Sequence, residues 1–112
     1  MKKIGMLTCL KSNRVCTGAA CLRAFYERRK SFEIYNGQEV EVVAFMKCNG
    51  CDSDPNEDAG ILEKVERLKK EQVETVHVGI CTKKKDGTRC GNIEKIMDMI
   101  EKQGITIIDG TH

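Results

Sequence analysis

The chain has 112 residues and a formal net charge of +2, with 40% hydrophobic and 32% charged residues, the size and mix of one domain that needs no disulfides to hold its core. Three Phe, two Tyr and no Trp leave few rings for stacking bases, and Lys and Arg are interspersed with nearly as many Asp and Glu, so no nucleic-acid partner is expected. Met1-Lys2-Lys3 before Ile4-Gly5-Met6-Leu7 opens like a secretion signal, but Lys11 and Arg14 break the apolar run before a leader or a membrane span is complete. A soluble, cytoplasmic chain without membrane contact is the expectation.

In chain order, Lys3 to Thr8 predicts a short buried strand. Ala20, Leu22, Ala24, Phe25 and Tyr26 predict a helix over about 18–30, its end blurred by Ser31-Phe32-Glu33-Ile34-Tyr35 before an Asn36-Gly37 turn. Glu39 to Met46 is a second, longer strand. The polar stretch Asp52 to Asp58, holding the single proline at Pro55, leads to a helix marked by Ile61, Leu62, Val65 and Leu68. Thr75 to Ile80 is a third strand, and Ile93, Ile96, Met97 and Ile100 form the apolar stripe of a helix at about 91–103. Gly104 then ends that helix before a fourth strand, Ile105 to Ile108. The alternation predicts a three-layer α/β fold of the flavodoxin-like or Rossmann-like kind, a four-stranded parallel sheet with right-handed crossovers. With the first strand central, its order is 2-1-3-4.

The seven cysteines are too few for a disulfide scaffold and odd in number, so they cannot all pair within the chain. Each falls between the carboxyl end of a predicted strand and the first turn of the next helix: Cys9, Cys16 and Cys21 after the first strand, Cys48 and Cys51 after the second, Cys81 and Cys90 after the third. His112 lies just past the fourth. In a parallel sheet all carboxyl ends meet at one edge, where α/β folds keep their sites. Soft and borderline metal ligands therefore converge there, while thiols used only as small core residues would also appear mid-strand and mid-helix.

Cys48-Asn49-Gly50-Cys51 has the spacing by which one turn offers two thiolates to a metal, and also the spacing of a redox dithiol. Pro55 and the acidic stretch separate it from the following helix, which makes redox activation by that helix indirect. With strand order 2-1-3-4, Cys9, Cys48 and Cys81 end neighbouring strands, and Cys51 completes a tetrahedron most simply. Cys90 and His112 come next. Cys16 and Cys21 either form a second cluster or stay free. Zinc and an iron–sulfur cluster both suit four thiolates.

The chain resembles the CGGC domain family. The resemblance is carried by Cys9, by Cys16 and Cys21 around Gly18, by Cys48-Asn49-Gly50-Cys51 after Val42-Val43-Ala44-Phe45-Met46-Lys47, by Cys81, Cys90 and the closing Gly110-Thr111-His112. Asn49 stands where the naming motif has its first glycine. The resemblance implies a single cysteine-rich, metal-binding domain over residues 1–112, with zinc as the metal.

The alternative is a thiol-dependent oxidoreductase using Cys48 and Cys51, with Cys81 as resolving thiol. Low-molecular-weight phosphatases also place a cysteine after their first strand, but they need Cys-x5-Arg, and Cys9 to Arg14 is one residue short. His77, inside the third strand, is expected to be a core or sheet-face residue. Lys83-Lys84-Lys85 with Arg89 reads as a solvated loop, or as charge compensation for thiolates. No dinucleotide fingerprint or spaced carboxylate pair names a reaction.

Overall fold

The computed structural model describes residues 1–112. Its main elements are β1 (Lys2–Thr8), α1 (Ala19–Tyr26), β2 (Val40–Lys47), α2 (Ala59–Lys70), β3 (Thr75–Val78), α3 (Gly91–Lys102) and β4 (Thr106–Asp109). The strands form one sheet in the order β2-β1-β3-β4, every neighbouring pair parallel. The alternating pattern thus yields the α/β fold and strand order that it predicts.

Side chains of β1 alternate between two cores, as a pleated strand requires. Leu7 packs with Ile61, Val65 and Leu68 of α2 and Ile93, Ile96 and Ile100 of α3. Ile4 and Met6 pack with Ala24 and Phe25 of α1 and with Phe32 and Tyr35. Burying an isoleucine such as Ile96 contributes roughly 2 kcal/mol, so these two apolar sets hold the layers together. No helix is long and apolar enough to cross a membrane.

Two boundaries differ from the sequence pattern. The first helix stops at Tyr26, and Lys30–Tyr35 forms a separate 3-10 turn. Arg28 and Lys30 take positive φ values of 55° and 54°, and the Arg28 guanidinium donates to Phe25 O at 2.7 Å and Tyr35 O at 3.3 Å. The Arg28 amide and guanidinium both donate to Phe25 O, so the last carbonyls of the helix are capped where the chain turns. The third strand ends at Val78, not Ile80, and Ile80–Thr82 is a 3-10 turn. Thr82 Oγ1 donates to Gly79 O at 2.7 Å and closes it, which places Cys81 in a turn rather than at a strand end.

His77 is fully buried on the α1 side of the sheet. Tyr35 OH lies 2.8 Å from its Nε2, and Ser31 Oγ and Gly110 O lie 3.1 and 3.2 Å from its Nδ1. Ser31 Oγ itself donates to Gly110 O at 2.6 Å. These partners are consistent with a neutral ring that carries its proton on Nδ1 and accepts from Tyr35 at Nε2. The network ties the 30–35 turn to the end of β4. At the same end of that strand, Arg89 and Lys83 both pair with Asp109, so two of the loop cations serve the fold.

Burial pushes the His77 pKa down from 6.5 to about 4, against a raising contribution from the Gly110 carbonyl and with a smaller lowering one from Lys2. The unfolded chain therefore binds a proton between those values that the folded chain refuses. His77 stabilises the fold above pH 6.5, and that contribution is lost as pH falls toward 4. Urea unfolding across this window is expected to show a loss of up to about 3 kcal/mol that disappears in a His77→Phe variant.

Candidate functional site

The edge where the strands end is organised by one irregularity. Ile4 pairs with Val42 but Gly5 pairs with Ala44, a bulge that passes over Val43. Beyond it Thr8 pairs with Lys47, so the next residues opposite one another are Cys9 and Cys48, and Cys48 N donates to Thr8 O at 3.2 Å. Without the bulge, the Ile4–Val42 register would put Cys48 opposite Leu10.

The sulfurs at this edge are met by backbone amides. Leu10 N donates to Cys48 Sγ at 3.3 Å, and Cys9 N donates to Cys81 Sγ at 3.4 Å, so consecutive amides of one loop hold thiols from its two neighbours. Gly18 N donates to Cys16 Sγ at 3.3 Å. Burial raises the Cys9 thiol, but the Ser12 amide and hydroxyl, the Lys11 amide and the Cys48 thiol together outweigh it and leave its pKa below the ordinary value. Burial pushes the Cys81 thiol up; the Cys9 amide works against this, and the charges of Cys9, Cys21 and Cys16 add to it. Cys81 thus feels charge from three thiols of the loop after β1 and the start of α1.

A second group lies beside the first. Cys21, buried in the first turn of α1, is 3.1 Å from Thr111 Oγ1 and 3.6 Å from His112 Nδ1, and Thr111 Oγ1 is 3.1 Å from the same nitrogen. Gly110 N donates to Val78 O at 2.7 Å and Thr111 is fully buried, so the tail is tied into the fold.

The Cys48-Asn49-Gly50-Cys51 turn is held by its neighbours. Lys64 Nζ donates to Lys47 O and to Asn49 Oδ1, each at 2.7 Å. Asn49 Nδ2 donates to the Asp58 carboxylate at 3.3 Å. Asp58 also caps α2 by accepting from Gly60 N at 2.8 Å and Ile61 N at 3.2 Å. Asn92 Nδ2 reaches Gly50 O at 3.4 Å. Gly50 has φ 103°, a conformation that glycine adopts without strain. The two cysteines consequently face different surroundings: Cys48 is buried, while Cys51 is exposed beside Lys11 and Arg14 in an open pocket of about 340 Å³.

Of the eight candidate ligands, the structure draws Cys9, Cys48 and Cys81 together, with Cys16 and Cys21 near Cys81 and His112 against Cys21. Cys51 is exposed and makes no hydrogen bond to them. Cys90 precedes α3 and packs against the core under α2 and α3. No three His, Cys, Asp or Glu side chains close to the distances that hold a metal ion. The donors fit a soft ion in kind, and the loops carrying them are not closed around one. The amides of Leu10 and Gly18 carry no sequence signal as sulfur donors, since any residue supplies an N–H. Ser12, three residues after Cys9, is a polar residue at turn spacing that could have been noticed.

The family model described as the CGGC domain matches residues 3–112. No curated protein and no solved structure matches the chain.

Asn49 and Gly60 are coupled, because a Cβ at Gly60 would lie 2.9 Å from Asn49 Nδ2 and 3.1 Å from Asp58 Oδ1. Asn49→Gly is expected to cost about 1 kcal/mol and to speed amide exchange over residues 48–52. Gly60→Ala should destabilise the natural chain and cost less in the Asn49→Gly background, where the helical preference of alanine offsets the remaining contact. Equal costs in both backgrounds would show that the side-chain clamp does not exist in solution.

Proposed function

The chain belongs to the CGGC domain family, and from that premise we propose that residues 1–112 act as a single metal-binding domain whose ion is zinc, held by the thiolates of Cys9, Cys16, Cys48 and Cys81. The reading rests on one observation. Three of these sulfurs receive backbone amide hydrogen bonds, Cys16 from Gly18, Cys48 from Leu10 and Cys81 from Cys9, and the Ser12 and Lys11 amides hold the pKa of the fourth, Cys9, down, whereas Cys21 meets only side-chain groups. Amide donors favour the charged thiolate and orient it, and hydrogen bonds to sulfur tune thiolate-bound metals.

The placement of the donors supports a structural ion. Three of them end or follow β1, β2 and β3, and Cys16 lies in the loop that leads to α1. Four thiolates make a closed tetrahedral set with no position for water or substrate. When bound, zinc supplies a cross-link between the three loops. The exposed loop around Cys16 is the segment that would move in to complete the set. Cys21 and His112 border this set, and Cys51 and Cys90 lie outside it. A reducing cytoplasm would keep the thiols available for the ion.

Titration of oxygen-free, chelator-treated protein with Co²⁺ and then Zn²⁺ tests the assignment. One ion per chain with intense thiolate-to-cobalt absorption is expected, displaced by zinc. Serine at Cys9, Cys16, Cys48 or Cys81 should weaken binding by about tenfold or more, while Cys51→Ser and Cys90→Ser should leave it nearly unchanged. A brown protein carrying iron and sulfide would replace zinc by a cluster. Loss on Cys51→Ser equal to that on Cys48→Ser would overturn the ligand set.

A further inference from the structure

We propose that Cys9 and Cys48 form a long-range redox dithiol that exchanges with low-molecular-weight disulfides when no metal is bound, and that Cys48 and Cys51 do not pair. The proposal goes beyond metal binding and does not depend on it.

The argument starts from the bulge at Val43. Because Thr8 pairs with Lys47 beyond it, Cys9 and Cys48 are the next cross-strand neighbours. The Cys48 N to Thr8 O hydrogen bond of 3.2 Å carries the pairing up to them. Neighbouring strands lie about 4.8 Å apart, inside the Cα separations of roughly 4.4–6.8 Å that a disulfide spans. The Cys48 sulfur is also aimed at the loop that begins with Cys9, accepting from the Leu10 amide at 3.3 Å.

The adjacent motif is arranged against pairing. Cys48 is turned inward toward Leu10 N, while Cys51 is exposed toward Lys11 and Arg14. Between them Asn49 is pinned by Lys64 and Asp58, and Gly50 by Asn92. Closing a Cys48–Cys51 bond would draw the buried Cys48 sulfur from Leu10 N toward an exposed partner on a pinned turn, whereas closing Cys9–Cys48 uses the register already present.

The chemistry balances with a small disulfide as oxidant. Cys9, the less buried of the two, attacks one sulfur of the disulfide as its thiolate. That S–S bond breaks, a first small thiol leaves, and a mixed disulfide forms on Cys9. Cys48 then attacks the Cys9 sulfur and expels the second small thiol. The two cysteines lose two electrons and two protons, and the small disulfide is reduced to two thiols.

The test uses the full chain, reduced, treated with chelator and then mixed with oxidised glutathione. Intact mass is expected to fall by two hydrogens. Tryptic mapping without reductant should join the peptide over residues 4–11 to that over residues 48–64. Since the latter contains both Cys48 and Cys51, Cys51→Ser separates them: it should leave the cross-link in place, whereas Cys48→Ser and Cys9→Ser abolish it in protein shown by circular dichroism to be folded. An internal bond within residues 48–64, a bond from Cys9 to the peptide over residues 71–83 that holds Cys81, or stable glutathione adducts alone would overturn the proposal. Each result is obtained without metal and is independent of the metal titration.

Discussion

Everything at the candidate site depends on β1 lying between β2 and β3 with all three strands pointing the same way. Parallel pairing sends the three chain segments out of one edge, and the central strand puts its own loop between the other two. That is why consecutive amides, those of Cys9 and Leu10, can donate to sulfurs from opposite neighbours. The bulge at Val43 refines the arrangement by one residue. A one-residue change of register gives every later residue a new cross-strand partner, and here it sets Cys48 beside Cys9.

Much of this was legible from residue order. Mostly apolar runs at 3–8, 39–46, 75–80 and 105–108 mark the strands, although the edge strands β2 and β4 are only partly covered, and the spacing of Ile93, Ile96 and Ile100 marks α3 before any coordinates. The clustering of thiols beyond strand ends was legible too, because topology alone sends those residues to one edge. The illegible parts were set by atoms that carry no identity in the sequence. Leu10 matters through its amide, so no side chain advertises it. The motif cysteines part company because Asn49 reaches Asp58 and Lys64, contacts that exist only once α2 is docked. The early end of α1 comes from Arg28 turning back to Phe25 and Tyr35, a tertiary choice that helix periodicity does not encode.

The same geometry supports two states of the edge. Amide donors lower the cost of charge on sulfur, which suits thiolates that hold an ion and also thiols that attack a disulfide. The structure favours neither by closing the loops: no set of three ligands has converged, and the cysteines are unbridged. In this account the loop after β1 is common to both. It carries Cys9 and Cys16, supplies the amides that receive Cys48 and Cys81, and leads into α1 and Cys21. The His77 network stands apart from this chemistry. It anchors Gly110 and so steadies the approach of Thr111 and His112 to Cys21 on the same, α1 side of the sheet.

The central claim is that sulfurs held by backbone amides are the metal ligands. X-ray absorption at the zinc edge of zinc-loaded protein reads the atoms around the ion directly. A shell of four sulfurs at about 2.3 Å, falling to three in a Cys16→Ser variant and unchanged in Cys51→Ser, is the predicted result. A shell that includes imidazole nitrogen, or one that loses a sulfur with Cys51 and none with Cys16, would contradict the account.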